Sequence, residues 1–245
     1  MKKALKIFGI ILALLAVIVI VGIIILYNNG LSGIHHHSEP AEGKMKVACV
    51  GDSVTYGHGV VDWSKNNYPA QLQNILGEAY HVENFGQSGA TLSPDGDQPY
   101  TESEQYRLSL EYCPDILIFM LGTNDSKPEN WEDEETFIRH LDNMLDSYRE
   151  VNPKVKIYLC TPATSFFPEG KGEGLTNFDI QPLVVDDIAN YTRAYALAHL
   201  LEIETLVDVH YLTSGHREWF EADNVHPDKN GARAIAEFIA KKITR

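Results

Sequence analysis

Residues 115–121 read DILIFML, apolar at every position after the first. A strand without a polar face has to be covered on both sides, a condition met in parallel sheets flanked by helices. Four other short runs are strand candidates for the same sheet: MKVACV at 45–50, HVENF at 81–85, KIYLC at 156–160 and TLVDV at 205–209. Segments of helical period separate them: 68–76, 102–112, 132–150 and 186–201, with a closing one at 228–243. In the longest, Phe137, Ile138, Leu141, Met144, Leu145 and Tyr148 keep the 3.6-residue spacing of one helix face. Asp228 stands where the last helix needs a cap. Strands alternating with helices predict one three-layer α/β/α domain on a five-stranded parallel sheet. Ligands in such sheets bind just past the C-terminal ends of the strands.

A second feature precedes this domain. Residues 7–27 carry no charge and are almost entirely Ile, Leu, Val, Ala and Gly. As a helix they would span about 31 Å, the thickness of a bilayer core. Lys2, Lys3 and Lys6 come before the run and no basic residue follows until Lys44, a bias that places the N-terminus in the cytoplasm and the rest outside. A cleaved signal peptide is the rival reading, but its apolar region is usually about 7–15 residues and ends in a small-x-small site. Here the run is longer and ends Ile-Ile-Ile-Leu-Tyr, with no nearby Cys for lipidation. The expected organisation is therefore a basic start and transmembrane signal anchor at 1–27, a flexible linker at 28–44, and the α/β domain at 45–245, which faces the cell exterior. The linker is rich in Gly, Ser and Pro. Its tract His35-His36-His37 reads as part of a solvated tether rather than a metal site, because consecutive residues on a mobile chain do not preorganise ligands.

Charge and cysteine usage narrow the function. Residues 45–245 hold 16 Lys and Arg against 32 Asp and Glu. Such a surface repels phosphate backbones and anionic lipid, which argues against nucleic-acid partners and leaves the apolar helix as the sole membrane contact. Cys49 and Cys160 sit within apolar runs and read as buried, Cys113 precedes Pro114, and no Cys-x-x-Cys spacing suggests zinc or a redox pair.

Three motifs carry the chemistry. Gly51-Asp52-Ser53-Val54-Thr55 follows the first strand, Gly122-Thr123-Asn124-Asp125 follows DILIFML, and Asp223-Asn224-Val225-His226-Pro227 lies near the C-terminus. A serine hydroxyl needs a base to become a nucleophile. His226, three residues after Asp223, can be held by that carboxylate at Nδ1 while Nε2 faces Ser53. A tetrahedral intermediate needs preorganised donors. The Ser53 N–H, the Asn124 amide and the N–H of Gly89 in Asn84-Phe85-Gly86-Gln87-Ser88-Gly89 can supply them. Asp52 and Asp125 flank these residues and are expected to hold loops. The lipase-type Gly-x-Ser-x-Gly elbow is absent.

Taken together, these motifs resemble those of the SGNH hydrolases, also called the GDSL-type esterases and lipases. Ser53, Gly89, Asn124 and His226 match the four letters in order, Asp223 matches the acid of the family's Asp-x-x-His, and Val54 stands where Leu or Ile is usual. The resemblance covers residues 45–245. It implies a flavodoxin-like fold, a serine esterase working through Ser53, His226 and Asp223 with an oxyanion hole from Ser53, Gly89 and Asn124, and no cofactor or metal.

The stretches NFGQSGATLSPDGDQPY and MLGTNDSKPENW resemble bacterial members that act as carbohydrate O-acetylesterases, so a glycan or other small ester is the expected substrate. Trp63, Trp131 and Trp219 are near the motifs and are candidate sugar-stacking walls, with core packing the alternative. A lipase, lysophospholipase or thioesterase is the competing expectation, its acyl groove built from Phe166 and Phe167 and its lid from Gly170, Gly172 and Gly174. A non-catalytic binding module is a third possibility, opposed by the complete Ser, Gly, Asn, Asp and His set.

Overall fold

A computed structural model describes residues 2–169, 176 and 178–244. An apolar helix α1 (Lys2–Asn28) leads into a domain that alternates strands and helices. In chain order these are β1 (Met45–Gly51), α2 (Ser53–Tyr56), α3 (Trp63–Asn66), α4 (Tyr68–Leu76), β2 (Tyr80–Gly86), α5 (Glu104–Tyr112), β3 (Ile116–Met120), α6 (Glu134–Val151), β4 (Lys156–Cys160), α7 (Pro182–Ala198), β5 (Thr205–Val207), α8 (Val209–Thr213) and α9 (Lys229–Ile243).

The strands form one sheet in the order β2-β1-β3-β4-β5, every pair parallel. This is the flavodoxin-like order, and its chain path reverses direction between β1 and β3. All five residues of β3 are buried, and alternate side chains enter opposite cores. Leu117 and Phe119 join a core containing Phe137, Leu141, Leu145 and Tyr148 of α6 and Ile188 of α7. Ile116, Ile118 and Met120 join one with Leu72 of α4 and Ile235, Ala236 and Ile239 of α9. Burying a side chain such as Leu or Ile is worth about 1.5–3 kcal/mol, so the two-sided cover holds the central strands in register beneath the site.

The five expected strands are present, with ends shifted by one or two residues. Helix α7 starts at Pro182, four residues earlier than its apolar period suggested, because proline suits a first helical turn whose N–H has no partner in any case. The short helices α2, α3 and α8 have four or five residues each, too few for a periodic signal. The three cysteines are free thiols, Cys49 and Cys160 buried as expected.

Candidate active site

The site lies at the β1/β3 reversal, where the loops after β1, β2 and β3 meet the loop before α9. The turn after β1 is tight. A Cβ on Gly51 would stand 2.4 Å from the Met120 carbonyl oxygen, so this position admits only glycine. Asp52 then caps α2 by accepting the Val54 N–H at 2.9 Å, which makes Ser53 the first residue of the helix. The Ser53 carbonyl receives the N–H groups of both Gly57 and His58 at 2.9 Å. Its own N–H, in the first helical turn, has no helical acceptor and meets none elsewhere among the described residues.

The loop carrying His226 is shaped by Asp223. One carboxylate oxygen accepts the backbone N–H groups of Val225 and His226, both at 2.9 Å. The other accepts Nδ1 of His226 at 2.8 Å. Asn224 takes a left-handed conformation, φ +70°, an accessible one for Asn. Because the carboxylate can only accept, Nδ1 carries the proton, and Nε2 is left to face Ser53 Oγ at 2.9 Å. Burial pushes the Asp223 carboxyl upward, but its bonds and proximity to His226 outweigh that and hold it at about 2. It therefore stays ionised well into the acid range. Ser53 and His226 are buried.

Two further loops supply donors. Gly89, φ +81°, lies after β2, and its N–H meets no acceptor among the described residues. Asn124, after β3, donates one amide N–H to the Ala90 carbonyl at 3.0 Å, which leaves the second N–H for the cleft that Asn124 lines. Asp125 ties these two loops together by accepting the N–H groups of Leu92 and Ser93 at 2.9 and 2.8 Å. Burial, opposed by those bonds and reinforced by the nearby Asp52 charge, raises Asp125 to about 6. Asp52 is also raised by burial, and its Oδ2 is buried without a hydrogen bond.

Ser53, Gly89, Asn124 and His226 open onto one cleft of about 390 Å³. Most of its other walls are polar: His58, Gln98, Asp97, Lys127 and Glu129, against the apolar Phe178, Ile180 and Val225. Lys127 is paired with Asp97 at 2.8 Å, and Asn130 braces the same Asp97 from both sides of its amide.

The three tryptophans do not line this cleft. Trp63 is buried against Tyr56. Trp131 stacks on Tyr191 and packs beside Phe137. Trp219 stacks on His216 with centroids 3.7 Å apart. Each ring packs on an intramolecular partner, as the packing alternative expects. Phe166 packs edge-on against Phe220 and is not among the residues lining the cleft, while Gly170, Gly172 and Gly174 lie outside the described residues. His58 and Phe178, which bracket His226 with ring centroids at 4.6 and 5.0 Å, escaped the motif reading. The available signal for His58 was its position five residues after Ser53, in a Gly-His-Gly turn.

A doubly wound α/β domain with an Asp-His-Ser hydrogen-bonded chain at its strand-order reversal has the geometry of a serine hydrolase. The chain belongs to the GDSL-like lipase/acylhydrolase family, whose profile matches residues 49–234. It is 35% identical over 222 residues to an acetylxylan esterase of Xylanibacter ruminicola, an alignment covering 83% of this chain and 44% of that protein. The chain thus spans less than half the length of this relative. Among solved structures it resembles Est24, a carbohydrate acetylesterase from Sinorhizobium meliloti (TM-score 0.66, 19% identity, 82% of this chain and 99% of the other). It also resembles the M. smegmatis aryl esterase (TM-score 0.63, 17% identity, 82% and 98%).

Proposed function

We propose that the chain is a serine esterase that removes O-acetyl groups from neutral carbohydrate. The observation that carries this reading is the hydrogen-bonded series Asp223–His226–Ser53 opening onto a small cleft with three unspent donors. Ser53 Oγ attacks the ester carbonyl as its proton passes to Nε2 of His226. The ionised Asp223 keeps Nδ1 protonated and stabilises the imidazolium that forms. Negative charge on the carbonyl oxygen is received by the N–H groups of Ser53 and Gly89 and by the Asn124 amide. His226 then returns the proton to the leaving alcohol. Water, activated by the same His226, hydrolyses the acyl-enzyme.

The cleft supports a short acyl group and a polar alcohol. Each CH₂ of a longer chain would need apolar cover worth about 0.8 kcal/mol, and the walls are mostly polar. Asp97, Glu129 and Asp179 outnumber Lys127 along the cleft, which disfavours anionic sugars. The likeness to an acetylxylan esterase agrees with a neutral glycan.

The span Phe8–Asn28 is long and apolar enough to cross a membrane and none of it is buried. Together with Lys2, Lys3 and Lys6 it supports a single-pass anchor with the domain outside the cell.

Hydrolysis of nitrophenyl esters from acetate to dodecanoate, with Ser53→Ala as control, tests the reading. A rate greatest at acetate and lost beyond butyrate is expected. A rate that climbs with chain length overturns the acetylesterase assignment, and equal rates for wild type and Ser53→Ala overturn the nucleophile.

A further inference from the structure

Between the end of α1 and β1 the chain runs behind the turn that carries Ser53. Gly30 is buried with φ +61°, and a Cβ placed on it would stand 2.3 Å from the Gly57 carbonyl oxygen and 2.7 Å from Cδ1 of Trp63. Such an approach requires glycine on both counts, space and backbone conformation. The His35 ring packs on Tyr56 with centroids 5.1 Å apart. Its Nδ1 donates to the Asn84 carbonyl at 3.2 Å, and Asn84 Nδ2 donates to the Tyr56 carbonyl at 3.2 Å. Trp63 Nε1 donates to that same carbonyl, and Tyr27, near the end of α1, meets Trp63 edge-on at 5.5 Å.

Farther along, Glu83 of β2 gathers the next residues. It accepts from His37 Nδ1 at 3.1 Å, the Ser38 N–H at 3.0 Å and Ser38 Oγ at 2.8 Å. His37 also stacks on Phe85 at 4.9 Å. Burial, with the neighbouring His37, lowers His35 to about 4, so its ring is neutral where it packs.

We infer that residues 27–38 form a docked strap whose contacts with Tyr56, Gly57 and Trp63 hold the turn after Ser53, making Gly30 and His35 positioning residues for the nucleophile. The inference rests on Ser53 as the nucleophile. Helix α2 has only four residues, too few to be stable alone, so its geometry is set by what packs on it. Its C-terminal end is tied to Ser53 by the bonds from Gly57 and His58 to the Ser53 carbonyl. The strap presses on that end. The same turn delivers His58 to the flank of His226. A Gly- and Ser-rich sequence reads as a free tether because the groups that fix it, Glu83, Asn84 and Trp63, belong to the domain and not to the segment.

The test uses the full chain in detergent micelles. Gly30→Val, His35→Ala and His35→Asn are compared with wild type and with Ile34→Ala, at an exposed position of the same segment. Two quantities are read: kcat and KM on nitrophenyl acetate, and hydrogen exchange at the amides of Gly57 and His58. Gly30→Val is expected to lower kcat at least about tenfold with KM nearly unchanged, and to speed exchange at both amides. His35→Ala moves both readouts the same way by less, and His35→Asn, whose amide can still donate to Asn84, recovers part of the loss. Ile34→Ala matches wild type. If Gly30→Val does not fold, the two His35 variants carry the comparison. Unchanged kcat and unchanged exchange in the folded variants mean a free tether and overturn the strap. If wild type hydrolyses no ester, the esterase reading fails by itself, and the exchange rates still decide the docking.

Discussion

The imidazole rings of His58 and His226 lie with centroids 4.6 Å apart and planes tilted by 42°. Burial and the proximity of His226 lower the pKa of His58, against a smaller opposing pull from Asp223. His58 is therefore a neutral neighbour of His226, the residue that takes the Ser53 proton in the proposed mechanism. Replacing it by a permanent cation penalises the imidazolium. Two like charges about 5 Å apart at the effective dielectric of a half-buried site repel by about 3 kcal/mol. His58→Lys is expected to lower kcat by about tenfold to a hundredfold and to move the acid limb of the pH–rate profile to lower pH. His58→Gln, which removes the titrating ring without adding charge, should leave that limb in place. The profile of kcat/KM against pH for the three proteins checks both statements.

Asp223 fixes the tautomer of His226. In Asp223→Asn, one amide oxygen can still accept from Val225 and His226, so the loop survives. The amide nitrogen, now a donor, forces the proton from Nδ1 to Nε2 and leaves Ser53 facing a donor. A fall in kcat of about 10³–10⁴-fold is expected, with little change in melting temperature. Since the Asp223 carboxyl is held at about 2, its own titration should leave no inflection in the wild-type profile between pH 4 and 9. An inflection that disappears in Asp223→Asn would reverse the assignment of Asp223 as a fixed anion.

Gly89 and Gln98 separate two causes of failure at the proposed oxyanion position. A Cβ at Gly89 would meet Gln98 Oε1 at 2.6 Å, and the backbone there has φ +81°. Gln98 is the flexible end of a long side chain and can withdraw. The left-handed backbone strain, about 1–2 kcal/mol, cannot be relieved that way. Gly89→Ala should lower kcat by about 10²-fold by displacing the N–H, and adding Gln98→Ala should recover little of it. Full recovery in the double variant would mean that steric crowding alone, and not the direction of the Gly89 N–H, causes the loss.

What the sequence revealed follows from where the information sits. β3 was legible because a strand covered on both faces writes its burial into every residue. Ser53, Asn124 and the Asp223–His226 pair were legible because short-range spacing and strand ends determine them. His58 was not, since its proximity to His226 depends on the α2 turn meeting a loop more than 160 positions later. The tryptophans left two readings open because an aromatic side chain serves a wall and a core equally well, and their packing partners Tyr56, Tyr191 and His216 are brought in only by the fold. α2 left no periodic signal because four residues have no period. Asp52 caps one end and Gly57 closes the other, and the contacts that hold the turn come from residues distant in sequence.

Asp125 links the site to stability. Its carboxyl is buried, raised to about 6 against a usual value near 4, and it joins the loops that carry Gly89 and Asn124. A folded-state pKa above the unfolded one means that the folded protein binds the proton more readily. The contribution is complete below about pH 4 and is lost as pH rises through 6. A shift of about two units corresponds to roughly 3 kcal/mol. Asp125→Asn has no such titration, and by removing a nearby charge it also eases the ionisation of Asp52, an effect of the same sign. The stability of wild type relative to Asp125→Asn should therefore fall by up to about 3 kcal/mol between pH 4 and pH 8. Urea midpoints of both proteins across that range provide the comparison. A difference that stays constant or grows with pH would show that Asp125 is already ionised at pH 4, held so by the Leu92 and Ser93 amides despite its burial.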